Sequence, residues 1–251
     1  WQAVTIAAIL ASLAAAPATL PLILFDGQAV WQHVVPILIA GVVSAVMLVR
    51  FLVAGHQIGT RMRTLREQHR ELVDIIAAHD LDHPTLRILE HPTPTAYCLP
   101  GRGRERVVVS RGVLQALHPA EVRAVLAHEQ AHLNARHDLL IEFFSVIHET
   151  LPEGMRAQAA MREVRLLVEI LADQRAARRV GVAPTVRALD ILAAGAAPEA
   201  AMGASAAATA PVRIQLLHDG PGPAHLTGLI YAYAAAVLAL PLVLAGVSVV
   251  S

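Results

Sequence analysis

The chain has 251 residues, an apolar fraction of 55%, only 16% charged side chains, and twenty basic groups balanced by twenty acidic ones. Zero net charge leaves no electrostatic footprint for nucleic acid, and such an apolar chain is not a disordered one. With no lysine in the sequence, serine–lysine chemistry is excluded. The single cysteine, Cys98, rules out an internal disulfide and a thiolate metal cage, which fits a reducing compartment.

The charges are unevenly placed. Residues 1–49 carry one, Asp26, and residues 226–251 carry none, so 39 of the 40 lie between Arg50 and Asp219. Residues 1–25 are uncharged and long enough, at about 1.5 Å per residue, to cross a hydrocarbon core of roughly 30 Å. No basic region precedes them as it would in a signal peptide. The sequence opens at Trp1 in mid-hydrophobic run, so we expect further sequence upstream, and with it another span. A turn at Asp26–Gln28 leads to a second span, residues 29–50, and residues 226–250 form a third. A buried core helix is the alternative for each run. Arg50, Arg61, Arg63, Arg66 and Arg70 follow span two, whereas the loop between spans one and two has no arginine. The positive-inside rule therefore places the intervening residues in the cytoplasm of a multi-pass inner or plasma membrane protein. His33, within span two, is a minor candidate for function.

The middle of the chain is predicted to be mostly helical. Residues 56–79 show helical spacing of Ile58, Met62, Leu65, Leu72, Ile75 and Ile76, and His83-Pro84 breaks that helix. A β-hairpin follows, with residues 95–99 and 106–110 around a Pro/Gly-rich link. Pro119 and Glu121 open a helix expected to run unbroken to about residue 150. Another starts near Pro152 and stops at Gly181, and a short one covers 184–194. Residues 195–211, rich in Ala, Gly, Pro and Ser, are expected to be a loop.

The chemistry lies in Leu126-Ala127-His128-Glu129-Gln130-Ala131-His132, an H-E-x-x-H on a predicted helix. Residues i and i+4 share one helical face, so two imidazoles can address one metal ion. Glu129 beside the first histidine is the candidate base for a water attacking a carbonyl. The bland alternative is an exposed helix with two incidental histidines. Glu169 and Asp173 sit one turn apart on the next long helix. Glu169 can supply a third ligand and Asp173 can accept a hydrogen bond from a ligand imidazole, unless both are an ordinary solvated pair. Asp138 competes as third ligand, but that placement needs a chain reversal, and position 135 is Ala inside an apparently continuous helix. Glu142 and Glu149 would lie at least about 15 Å along the same helix.

Val107, Val108, Val109 and Ser110 form a candidate edge strand that could align a peptide substrate by strand addition; a purely structural hairpin is the alternative. His137 reads as a surface residue in preference to one supporting the metal, and Asp138 as an anchor for a neighbouring loop. Arg213, after the expected loop, is a candidate transition-state stabiliser. The remaining histidines have no partner spacing.

Four segments together resemble the gluzincin membrane metallopeptidases. They are Ala96-Tyr97 through Gly101, Val107 through Leu114, the H-E-x-x-H stretch, and Glu169-Ile170-Leu171-Ala172-Asp173. Arg136-His137-Asp138-Leu139-Leu140 and Pro211-Val212-Arg213 add to the likeness, which covers residues 55–220. It is greatest to the BlaR/MecR-type antibiotic-sensing peptidases, relatives of HtpX and the CaaX-prenyl endopeptidases. The resemblance implies one Zn2+ per chain held by His128, His132 and Glu169, Glu129 as the base, and Asp173 supporting a ligand. It also implies a zincin-like helical domain with a small β-hairpin, facing the cytoplasm between flanking transmembrane helices. The expected function is an integral membrane zinc endopeptidase acting in regulated proteolysis. Its substrate would be a cytosolic or membrane-proximal protein, such as a transcriptional repressor or the enzyme itself. The sequence carries no penicillin-binding sensor domain, so direct β-lactam sensing is not expected. The alternative function is a non-catalytic membrane subunit or signal transducer that keeps the fold. A transporter with a metal site is weaker still, because its ligands should lie inside the spans.

Overall fold

A computed structural model describes residues 30–80, 83–101, 103–195 and 201–220, with scattered helical positions between 228 and 239. The proposed span 1–25 and most of 226–250 lie outside the described residues. The chain divides into two compact units, one built from residues 1–58, 145–160 and 222–251, the other from 59–144 and 161–221.

Helix α1 (Val30–Ile76) is a single helix of 47 residues. The sequence suggested two helices with a gap near residues 51–55. Nothing there can end a helix: the stretch holds no proline, and a lone Gly55 costs only about 1 kcal/mol. From Gly41 onward α1 is long and apolar enough, by length and composition, to cross a membrane, and it is the one helix among the described residues that is. Leu38, Val42, Val46, Val49 and Leu52 are all exposed along it. In the first unit, Arg50 of α1 donates from Nε to the Thr150 carbonyl at 2.8 Å, and Gly55 faces Val146.

The second unit is built on a four-stranded sheet. Strands β1 (Ala78–His79), β2 (Leu86–Leu89), β3 (Ala96–Leu99) and β4 (Arg106–Ser110) take the order β1-β2-β4-β3. The expected hairpin is present: β3 pairs antiparallel with β4, in the register Ala96 to Val109 and Cys98 to Val107. However, β4 also pairs in parallel with β2. Its main-chain groups are therefore taken on both sides, and Val107, Val108, Val109 and Ser110 are all buried. The expectation that these four residues form a substrate-binding edge strand is thereby corrected. The sheet's edges are β1 and β3.

Alternation along the strands sends side chains to two faces. Val108, Leu99, Leu89 and Tyr97 pack against Val73 and Ala77 at the end of α1. Ala96 joins the main helical core, formed by Val113, Leu117, Ala124, Val125 and Ala188. Ser110 ends β4 and caps α2 (Arg111–Ala116), accepting from the Val113 amide at 3.2 Å. The same hydroxyl donates to the Thr93 carbonyl at 2.8 Å and accepts from the Thr95 amide at 3.0 Å. A Cβ at Gly112 would lie 2.0 Å from the Pro92 carbonyl oxygen, so the 91–94 connection presses directly on this glycine.

Helix α3 (Pro119–Ala135) starts as expected. Pro119 occupies the first turn, and the Glu121 carboxylate accepts from the His118 amide at 2.8 Å. It does not run on to residue 150. Arg136 takes the left-handed conformation (φ 51°, ψ 44°) and ends it, and α4 (His137–Thr150) begins at once. After a short 3-10 turn, α5 (Gln158–Val180) is stopped by Gly181 at φ +104°. Helix α6 (Val182–Gly195) packs on α3. Helix α7 (Ala201–Asp219) packs on α6 and occupies residues 201–211 of the loop expected over 195–211, whose residues 196–200 lie outside the described residues. Small residues there suggested a flexible connection, but alanine is the strongest helix former and dominates the stretch.

Candidate metal centre

The 3.6-residue turn brings His128 and His132 to one face of α3, with their Nε2 atoms 3.0 Å apart. Glu169 approaches from α5. Its Oε2 lies 3.4 Å from His128 Nε2, and its Oε1 lies 3.6 Å from His132 Nε2. One donor atom from each residue falls within 4.8 Å of the others, the sole such group among the described residues. Donors about 2.0–2.2 Å from a tetrahedral ion stand about 3.3–3.5 Å apart. The observed separations bracket that value, so this set of two imidazoles and a carboxylate fits a divalent cation such as Zn2+.

The surroundings favour positive charge at the same point. Burial alone would lower the His128 pKa, but hydrogen bonds to Asp173 and Glu169 and the nearby charges of Glu129 and Asp173 raise it to about 10. His132 is pushed down to about 4 by burial and by the His128 charge; of the adjoining rings, His128 holds the proton. Burial also opposes ionisation of Glu169. It is outweighed by the His128 hydrogen bond and the charges of His128, Arg213 and His132, which hold its carboxyl at about 2.

Asp173, one turn beyond Glu169, accepts from His128 Nδ1 at 2.9 Å. That contact leaves His128 Nε2 free to face the other ligands. Arg213, on α7, forks onto Asp173 at 2.7 and 2.8 Å and reaches Glu169 Oε2 at 3.2 Å. It is only 5% exposed. Its Nε and Nη2 are committed to the two carboxylates, which they clamp in place, so the candidate transition-state stabiliser stands beside the ligand set.

Glu129 is buried. Burial raises its pKa, with Glu169 adding to the effect and the His128 charge opposing it. The Cys98 thiol of β3 lies beside the Glu129 carboxylate. Burial, then the Glu129 charge, pushes that thiol far above its ordinary value. Strand β3 therefore brings a sheet edge to the base, the placement the sequence suggested for β4. Alternation offered a signal for Cys98, since residues 96 and 98 share one face of the strand.

His137 was expected at the surface, yet it is buried, with Nδ1 3.0 Å from His132 Nδ1. On an unbroken helix, five residues rotate about 500°, which would put it roughly 140° away from His132. The left-handed residue at 136 removes that offset. Asp138 lies 3.4 Å from Arg66 of helix α1 and 3.6 Å from Arg136, instead of holding the loop the sequence suggested.

The model of "Peptidase family M48" matches residues 59–214, more than half of the chain. The chain belongs to peptidase family M48. It is 32% identical over 84 residues to the plastoglobule-localized metallopeptidase 48, chloroplastic, of Arabidopsis thaliana, covering 33% of this chain and 24% of that one. It is 33% identical over 100 residues to a "Protease HtpX homolog" of Thermoplasma acidophilum, covering 36% and 31%. A "Protease HtpX homolog 2" of Methanosarcina mazei is 36% identical over 70 residues, covering 27% and 24%. The M48 chain thus spans about a quarter to a third of the length of these curated relatives. No solved structure matches it.

Proposed function

We propose that this M48 chain is an integral membrane zinc endopeptidase that cleaves peptide bonds in a cytosolic or membrane-proximal protein. The observation that carries the reading is the meeting of His128, His132 and Glu169 donor atoms beside a buried Glu129. Zinc held there would acidify a water towards neutral pH and polarise the scissile carbonyl as a Lewis acid.

The chain's own residues do the rest. Glu129 takes the proton of the attacking water on its carboxylate and returns it to the departing amine nitrogen. Its burial, which raises the carboxyl pKa, suits it to both transfers. Asp173 and Arg213 hold the ligand set rigid, so little reorganisation is needed during reaction. The free edge of β3 aligns an extended substrate by main-chain pairing. The uncharged segments and the arginines after residue 49 support a multi-pass protein with this site in the cytoplasm. The likeness to BlaR/MecR-type peptidases supports a role in regulated proteolysis, with a repressor or the chain itself as substrate.

Glu129→Gln in the full chain tests the mechanism. Zinc content should stay at one per chain, while cleavage, followed by proteomics of membranes carrying either form, should fall by about 10²-fold or more. A variant that cleaves at the wild-type rate ends the proposal.

A further inference from the structure

One buried titratable group beside the centre has no part in the mechanism above. His137 is 4% exposed, yet it heads α4 immediately after the left-handed Arg136. Its Nδ1 stands 3.0 Å from His132 Nδ1, with the two rings nearly perpendicular at 88°. Two ring nitrogens at that distance share a single hydrogen. His132 turns its other nitrogen, Nε2, towards His128 Nε2 and Glu169 Oε1. A ligating imidazole needs the lone pair on that side, so its hydrogen sits on Nδ1, and His137 Nδ1 is the acceptor.

We propose that His137 is a positioning residue of the metal centre: its Nδ1 accepts the Nδ1 hydrogen of His132 and so fixes the tautomer and ring plane in which His132 presents Nε2 to a divalent cation. This rests on the zinc reading given above.

The two ligand rings are thereby held in different ways. His128 donates to a carboxylate, Asp173, whereas His132 donates to a neutral ring. Charge explains the difference. Glu129, Glu169 and Asp173 contribute three negative charges and Arg213 one positive charge, so a divalent cation brings the cluster to neutrality. A carboxylate at position 137 would add a fourth negative charge to the cluster. An imidazole acceptor orients the ring without adding one. The left-handed arginine acquires a purpose in the same step: an unbroken helix would carry residue 137 away from His132.

The test compares His137→Asn with His137→Leu in the full chain in detergent. The two are nearly equal in shape, and the asparagine Oδ1 takes the place of the imidazole Nδ1 as acceptor. Zinc affinity is read by competition with a chelator, and the Co2+ absorption spectrum reports ligand geometry. His137→Leu should weaken zinc binding by about 10- to 100-fold and shift the Co2+ bands. His137→Asn should bind within about threefold of wild type. Should His137→Leu fail to fold, 15N-histidine NMR of the unmutated zinc-loaded chain decides the matter by showing whether the His132 Nδ1 hydrogen is coupled across a hydrogen bond to His137 Nδ1. Equal affinities for His137→Leu and wild type overturn the inference, as does His137→Asn binding as weakly as His137→Leu, or an absence of coupling between the two Nδ1 atoms. Those results leave the zinc reading standing, whereas a wild-type chain that binds no zinc removes both.

Discussion

Replacing Asp173 by asparagine keeps shape and volume and changes only hydrogen-bond polarity. In the wild type, Asp173 Oδ1 accepts from His128 Nδ1 and Arg213 Nη2, and Oδ2 accepts from Arg213 Nε. An amide has one acceptor where the carboxylate has two. With its oxygen in the Oδ1 place, its NH2 meets the Arg213 Nε–H. Flipped, the NH2 meets His128, whose hydrogen must then move to Nε2, the very atom that faces the other ligands. Loss of such a partner weakens metal binding about 10- to 100-fold, or about 1.4–2.8 kcal/mol. The metal-free fold suffers separately, because Arg213 is 5% exposed and loses its nearest counter-charge. Breaking a buried pair costs about 3–5 kcal/mol. Glu169, still 3.2 Å from Nη2, keeps the loss near the lower end. That corresponds to a melting temperature lower by roughly 6–12 °C for a chain of this size. Chelator competition measures the first effect and thermal unfolding of the metal-free protein the second. Zinc affinity within twofold of wild type, with an unchanged melting temperature, would refute the idea that Asp173 orients His128 and neutralises Arg213.

Zinc affinity should depend steeply on pH. Metal-free His128 stays protonated up to about pH 10, so metal and proton compete across the neutral range. Affinity should rise about tenfold per pH unit from 7 towards 10 and fall correspondingly on acidification. An ordinary imidazole would give a flat profile above pH 7, which chelator titrations at pH 7, 8 and 9 would reveal. Gly112→Ala should destabilise the fold by about 1–3 kcal/mol or more, because the new methyl would sit 2.0 Å from the Pro92 carbonyl oxygen and 2.7 Å from its carbon. Main-chain atoms cannot swing aside as a side chain would. Gly154→Ala, which meets nothing within 4 Å, serves as the control and should change stability by less than about 0.5 kcal/mol. Equal denaturation midpoints for the two variants would contradict the packing described around Gly112.

The residues that meet around the candidate metal position were legible because helical spacing alone puts 128 with 132 and 169 with 173 on common faces. Their mutual approach also needed two helices to pack, and the likeness to known peptidases, not periodicity, supplied that. What was missed depended on contacts between segments distant in sequence. The interior position of β4 follows from its parallel partner β2, a four-residue strand too short to stand out between His83-Pro84 and His91-Pro92. His137 was misplaced because one arginine adopts a conformation that non-glycine residues seldom take. Composition misled for residues 201–211, where small side chains stood equally for a loop and for an alanine-rich helix.

On the proposed reading, in which β3 aligns the substrate, the shortness of this strand limits how a substrate can be chosen. Four residues at about 3.3 Å each give a ledge of roughly 13 Å. Only a few amide groups of a guest chain can register along it, and their recognition is blind to side-chain identity. A grip so brief would hold weakly, and the proposed membrane placement would supply selectivity through delivery: a guest already confined near the bilayer would reach the ledge far more often than one diffusing freely.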